Sequence, residues 1–133
     1  MSKIIIDNRE PKDIIDYITS KLIDNPPLIK QMDVGDFAIY DNNLQEPKVI
    51  FERKSLSDLV SSIKDGRYNE QSTRLNSISL HNHNIIYIIE GNISTYKDEK
   101  VQQMIYSALF TISYYKGFSV INSANKIQTA EYI

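Results

Sequence analysis

The chain has no cysteine. That excludes disulfide staples and cysteine-ligated zinc, and it fits a reducing compartment. It also lacks any apolar run long enough to span a membrane. Its start, Met1-Ser2-Lys3-Ile4-Ile5-Ile6-Asp7, is too short in apolar residues for a secretory leader. No repeat or low-complexity linker interrupts the 133 residues, which read as one domain. An excess of positive charge is missing too: the formal net charge is −2. Bulk charge therefore argues against tight non-specific nucleic-acid binding, although the field at a site can be local. What is present is an ordinary globular composition, 41% apolar, sufficient for a packed core.

The apolar run 3–6 before Asp7 predicts a central strand. Pro11 is expected in the first turn of a helix. That helix continues with Ile14, Ile15, Ile18 and Leu22 at helical spacing and stops at Asn25-Pro26-Pro27. Residues 28–33 and 36–40 read as strands, with Gly35 marking a turn or bulge. After a polar loop, strand 48–54 pairs antiparallel with 36–40, which would bring Asp36 beside Glu52. Ser55 is an N-cap, with Asp58 three residues on. Leu56, Leu59, Val60 and Ile63 face inward until Gly66 ends the helix. A second helix is expected from about Tyr68 to Leu80, a loop over 81–84 and a buried strand over 85–90. The longest helix follows over 98–115, then a strand over 118–121 and a short helix over 125–133. Strands alternating with helices predict a layered α/β sandwich.

Val49 to Phe51 reads as a buried strand that delivers Glu52, Arg53 and Lys54 at its end. Alternation puts Glu52 and Lys54 on one face and Arg53 on the other. A carboxylate and an ammonium two apart can hold a divalent metal and stabilise charge beside it, and Asp36 adds a second carboxylate. For an isolated Glu-x-Lys, solvated charges on a surface hairpin are the commoner reading. Asp58 is fully explained as a capping carboxylate, with a role in holding Lys54 or Arg53 equally open. Asp7 can serve as a helix cap before Pro11. Arg53 can pair with a neighbouring acid, and Arg9 is open between an ion pair and a phosphate contact. Arg67, Gln71 and Arg74 share one helix face, which Lys64 extends. An amphipathic helix explains that face; beside a metal site it also suits phosphate contacts. His81 and His83 sit in an Asn-rich loop and read as solvated. Most of the nine tyrosines lie in apolar segments and read as core or interface.

Several motifs occur in a fixed order: Ile6-Asp7-Asn8-Arg9-Glu10, Val34-Gly35-Asp36-Phe37, Glu52-Arg53-Lys54-x-x-x-Asp58 and Asp65-Gly66-Arg67-Tyr68. Tyr87-Ile88-Ile89-Glu90 and Thr129-Ala130-Glu131-Tyr132-Ile133 follow. The set resembles the XPF/MUS family of structure-specific DNA endonucleases, with its ERKxxxD signature, and covers nearly the whole chain. The run from Ser61 to Tyr68 is similar to the MUS catalytic branch. The resemblance implies an α/β fold: a restriction-endonuclease-like three-layer α/β/α nuclease core with a central mixed sheet. It implies hydrolysis of branched DNA (3′ flaps, forks, nicked junctions) in repair, recombination or replication. The implied catalytic residues are Asp7, Glu10, Asp36, Glu52, Arg53, Lys54 and Asp58. Asp36, Glu52 and Asp7 would hold Mg²⁺, for which Mn²⁺ can substitute. Arg9, Lys64, Arg67, Gln71 and Arg74 would contact DNA. No base-reading motif is visible, so shape recognition fits better than sequence recognition. No nucleotide cofactor or membrane is implied. The expected location is intracellular, at DNA: the nucleus in a eukaryote, the cytoplasm or a replication site otherwise. Family members typically carry a tandem helix-hairpin-helix module, and this chain shows no Gly-rich hairpin pair.

Two competing readings are a non-catalytic partner subunit, because the family pairs active with degenerate nuclease domains, and a junction-resolvase-like nuclease. Intact Asp36, Glu52 and Lys54 argue against the first. Arg53, Asp58 and Gly66-Arg67 argue against the second.

The long helix carries two apolar stripes. Val101, Met104, Ile105, Ala108, Leu109 and Ile112 suffice to seat it on its own sheet. Tyr106, Phe110 and Tyr114 form a second stripe at i, i+4 and i+8, which predicts burial on another side. Either the terminal helix covers that stripe, or it forms a dimer interface that Tyr132 and Ile133 join. Family members pair through this C-terminal part, so the resemblance implies a homodimer or heterodimer.

Overall fold

The computed structural model describes residues 3–40, 47–65 and 84–132. Six strands form one sheet: β1 (Lys3–Asp7), β2 (Leu28–Lys30), β3 (Phe37–Tyr40), β4 (Pro47–Ser55), β5 (Ile85–Glu90) and β6 (Ser119–Ser123). Their spatial order is β2-β1-β3-β4-β5-β6. All run parallel except β3, which is antiparallel to both β1 and β4. The described helices are α1 (Lys12–Lys21), α2 (Leu56–Asp65), α3 (Glu99–Phe110) and α4 (Lys126–Tyr132).

Alternation along the central strands builds two cores from one sheet. Ile6, Phe37, Phe51 and Ile88 point to one face and pack against Ile14 and Ile18 of α1 and Ala130 of α4. Ile5, Ala38, Ile50, Ile85, Tyr87 and Ile89 point to the other. There they meet Leu56, Leu59 and Val60 of α2, Ile105 and Ala108 of α3, and Ile112 and Phe118 beyond it. The result is the expected α/β/α sandwich around a mixed sheet. Burying each such aliphatic side chain contributes about 1.5–3 kcal/mol, so β5, apolar on both faces, is a main anchor of both layers.

Several boundaries differ from the sequence-based expectation. Pro11 precedes α1 rather than entering it; its ψ of 137° is extended, and its missing N–H costs nothing there. The expected strand over 28–33 is confined to Leu28–Lys30, because beyond Lys30 the chain turns to serve Asp7, as described below. The long helix begins at Glu99 with Asp98 as its cap, the carboxylate accepting from Lys100 N at 2.9 Å. It ends as α-helix at Phe110 and continues through a π-type turn over Thr111–Tyr115. The last strand lies at Ser119–Ser123 rather than 118–121, and the terminal helix begins at Lys126 rather than at 125. That helix packs against α1, in the layer opposite α3. It therefore does not cover the second stripe of α3. The expected helix from Tyr68 to Leu80, Gly66, Arg67, Gln71, Arg74, His81, His83 and Ile133 lie outside the described residues. No helix among the described residues is long and apolar enough to cross a membrane.

Candidate active site

Asp36 is positioned by the turn before it. Gly35 has φ +79°, and a Cβ there would stand 2.4 Å from Ile50 Cγ2. Only glycine fits both the left-handed backbone and the close approach to β4. Past the turn, Asp36 N donates to Phe51 O at 2.8 Å, and Asp7 N donates to Asp36 O at 2.9 Å. Register pairs Ile6 with Phe37 and Phe37 with Phe51. One residue further, Asp7, Asp36 and Glu52 stand side by side across three strands. Directly opposed residues share a face. The row therefore lies at the carboxyl end of β1 and in the carboxyl half of β4, where β3 no longer covers β4, toward the rim where open α/β sheets bind ligands. Lys54, two residues on, shares this face and is buried.

Each acid is held differently. Asp7 is 2% exposed, and both its oxygens are engaged. Oδ1 accepts from Arg9 N at 2.8 Å and Arg9 Nε at 2.9 Å. Oδ2 accepts from an Arg9 terminal nitrogen at 2.7 Å and from Met32 N at 3.0 Å. The Arg9 guanidinium holds the Asp7 carboxyl well below the usual carboxylate range. Asp7 is thus a clasp between two loops, not a cap for α1. Arg9 is in an internal ion pair, yet its side chain is 67% exposed.

Glu10 behaves in the opposite way. Burial, then the charge of Asp36, pushes its carboxyl up to about 8, with Arg53 partly offsetting this. Burial also pushes Asp36 up, against the bond its Oδ2 accepts from Arg53 N at 2.8 Å. Half-buried Glu52 adds its charge against Glu10. Carboxylates crowded in a partly desolvated space resist ionising together. A shared proton or a bound cation relieves them. Among the described residues no three His, Cys, Asp or Glu side chains already enclose a metal position. In donor chemistry and charge, however, the oxygen-only set fits a hard divalent cation.

Arg53 points away from that row, as alternation predicts, and is fully committed within the protein. Its Nε and a terminal nitrogen grip Glu90 at 2.6 and 2.9 Å, and its other terminal nitrogen reaches Glu10 at 3.2 Å. Asp58 is exposed on the first turn of α2, and its backbone N–H donates to Ser55 Oγ at 3.1 Å. Ser55 is the expected cap, and the resolved partners of Arg53 do not include Asp58.

Residues 6–133 match the ERCC4 domain. The chain belongs to the ERCC4-domain family, the XPF/MUS nucleases. It is 44% identical over 100 residues to a probable crossover junction endonuclease mus81 of Dictyostelium discoideum, covering 69% of this chain and 11% of that protein. It is 30% identical over 156 residues to crossover junction endonuclease mus81 of Emericella nidulans, covering 98% of this chain and 23% of that protein. The chain thus spans no more than about a quarter of either relative. XPF from Aeropyrum pernix in complex with DNA superposes with a TM-score of 0.75 at 25% identity, over 99% of this chain and 61% of that one.

In this ERCC4 domain the fold gathers Asp7, Asp36, Glu52 and Lys54 on one face, with Glu10 beside Asp36 and Arg53 directed to the other face, as alternation predicts. The sequence reading gave no role to Glu90, Thr129 and Ser123, which lie behind Arg53. The signal was available: Glu90 ends an all-apolar strand, and a buried charge requires a partner. The second stripe of α3 is exposed, with Tyr106 at 58%, Phe110 at 55% and Tyr114 at 70%. Phe110 and Tyr114 stack at 5.3 Å between centroids.

Proposed function

We propose that this ERCC4 domain is the catalytic domain of a structure-specific endonuclease that hydrolyses phosphodiesters in branched DNA (3′ flaps, forks and nicked junctions) inside the cell during repair, recombination or replication. The observation that carries this reading is the rim row: Asp7, Asp36 and Glu52 abreast, Lys54 on the same face, and Asp36 and Glu10 with their ionisation opposed by burial and nearby charge. The names of the relatives and the DNA-bound neighbour support it. Asp36 and Glu52 would hold Mg²⁺, or Mn²⁺ in its place, and Asp7 would join them once Arg9 lets go. Such an ion supplies a water of lowered pKa and neutralises developing negative charge. Lys54 faces the same space and stabilises the phosphate as charge builds. Arg53 fixes Asp36 through its backbone N–H, and Glu10 stores a proton beside Asp36.

Exposed Arg9 and Lys64 stand ready for phosphates, and Arg67, Gln71 and Arg74 continue the series in sequence. Such contacts are salt-dependent and sequence-blind. The exposed stripe Tyr106, Phe110 and Tyr114 supports pairing with a second copy or a related chain. Tyr132 belongs to α4, in the layer opposite α3.

The test is cleavage of labelled flap, fork, junction and duplex DNA with Mg²⁺, Mn²⁺ or EDTA. Branched substrates should be cut only with metal, and Asp36→Asn and Glu52→Gln should each abolish cutting while melting normally. Normal turnover by both variants would remove the proposed site. Light scattering should report twice the 15.4 kDa chain mass, and Phe110→Glu should return it to one chain mass without unfolding.

A further inference from the structure

We infer that Glu90, Thr129 and Ser123 are positioning residues: a buried relay through which β6 and α4 hold Arg53, and with it Glu10 and Asp36, in place for the reaction proposed above. This inference rests on that nuclease reading for its consequence, and on geometry for its existence.

The relay begins at the guanidinium. Arg53 makes two parallel bonds to the Glu90 carboxylate, at 2.6 and 2.9 Å, the fork-to-fork arrangement that fixes direction as well as distance. Its remaining terminal nitrogen touches Glu10 at 3.2 Å, and its backbone N–H holds Asp36 Oδ2 at 2.8 Å. Rotation of the Arg53 side chain would therefore release Glu10, and through Glu10 disturb Asp36 beside it, while the backbone bond to Asp36 is kept by β4. Glu90 itself is held from behind: Thr129 Oγ1 donates to Glu90 Oε2 at 2.5 Å, and the Ser123 and Thr129 hydroxyls stand 2.6 Å apart. An ionised carboxylate only accepts, so the Thr129 proton is committed to Glu90 and Ser123 must donate to Thr129. The direction of the whole chain of bonds is thereby fixed.

The anchors are buried: Glu90 is 8% exposed, Ser123 1% and Thr129 0%. Backbone bonds brace them, from Gly91 N to Ser123 O at 2.9 Å and from Thr129 N to Asn125 O at 3.0 Å. Apolar residues would seat α4 on the sheet at least as well as a buried ionic chain. What apolar residues cannot do is aim a guanidinium at Glu10.

The test compares Thr129→Val, which keeps shape and removes the hydroxyl, with Thr129→Ser, which keeps the hydroxyl. The 133-residue chain is assayed for single-turnover cleavage of a labelled flap at saturating protein, for flap affinity in EDTA, and for the Arg53 side-chain Nε–H resonance by ¹⁵N NMR. Thr129→Val should slow cleavage roughly tenfold, the usual order for removing an orienting partner. Affinity in EDTA should be unchanged, and the Arg53 resonance should shift and exchange faster. Thr129→Ser should restore both the rate and the resonance. Wild-type cleavage by Thr129→Val with an unmoved Arg53 resonance would overturn the relay. So would a Thr129→Ser variant as impaired as Thr129→Val, since that would assign the effect to packing. A wild-type domain that cuts no branched DNA counts against the nuclease reading, and the relay then stands or falls on the Arg53 resonance.

Discussion

Two arginine–carboxylate pairs flank Asp36, and their bonds are nearly identical. Arg9 grips Asp7 with two side-chain nitrogens at 2.9 and 2.7 Å, and Arg53 grips Glu90 at 2.6 and 2.9 Å. They differ in access to water: the Arg9 side chain is 67% exposed and that of Arg53 17%. Water and salt reach Arg9 and screen its side of the pair, although Asp7 itself is buried. Removing one partner of a buried pair strands a charge and typically costs about 3–5 kcal/mol. The same geometry is therefore a latch in one place and a fixture in the other. On the proposed reading this suits the site: Arg9 can yield Asp7 to an incoming cation, while Arg53 keeps its place throughout.

The largest expected effect tests the fixture. Glu90→Ala should destabilise the domain by about 3–5 kcal/mol in a denaturant titration. A loss under about 1 kcal/mol would erase the distinction between the two pairs.

A second effect is expected in the pH dependence of stability, where the acids beside the two arginines act in opposite senses. Glu10 titrates at about 8 when folded, against 4.5 for an ordinary glutamate. Between those values the folded chain binds the extra proton, so stability falls as pH rises across that window. The Asp7 carboxyl is held below its ordinary 3.8. Its contribution is therefore present above that value and is lost as pH falls below it. Melting temperatures in EDTA from about pH 3 to about pH 9 should show both limbs. Glu10→Gln should flatten the upper limb alone, and Asp7→Asn the lower. A slope untouched by Glu10→Gln would place the titration elsewhere.

The smallest effect tests the latch. Arg9→Ala should cost less than Glu90→Ala, because the backbone N–H groups of residue 9 and Met32 still hold the Asp7 carboxylate and water reaches the vacated side. Because it frees Asp7, it should also tighten Mn²⁺ binding measured by calorimetry. Weaker Mn²⁺ binding would make Arg9 a support of the acid row rather than its latch.

Much of this was legible in the sequence because it followed from local rules. Alternation through Val49-Ile50-Phe51-Glu52-Arg53-Lys54 assigned the faces correctly, and Ser55 capped the helix its side chain predicted. Helical spacing picked out Tyr106, Phe110 and Tyr114 as one stripe, but not that the terminal helix would leave it exposed. What was not legible depended on contacts distant in sequence. Nothing near Asp7 announces that Met32 N will meet its carboxylate. Nothing near Thr129 announces that it lies behind Glu90. The placement of α4 beside α1 was likewise hidden, because an apolar face fits either side of a sheet. Tyr17 and Glu131, which hydrogen-bond across that seam, carry no pattern of their own.

The strand order has a consequence for divisibility. The first three strands occupy one half of the sheet, β2-β1-β3, and the last three the other, β4-β5-β6. Within the sheet the halves meet along a single seam, β3 against β4, and the chain crosses it between Tyr40 and Pro47, at the opposite end from Asp36; outside the sheet α1 meets α4. Asp7, Glu10 and Asp36 belong to one half; Glu52, Arg53, Lys54 and Glu90 belong to the other. Fragments 1–40 and 47–133 would each hold an inert share of the constellation. On the proposed reading the domain is a coincidence device, whose chemistry needs two successive pieces of one chain to stay zipped together.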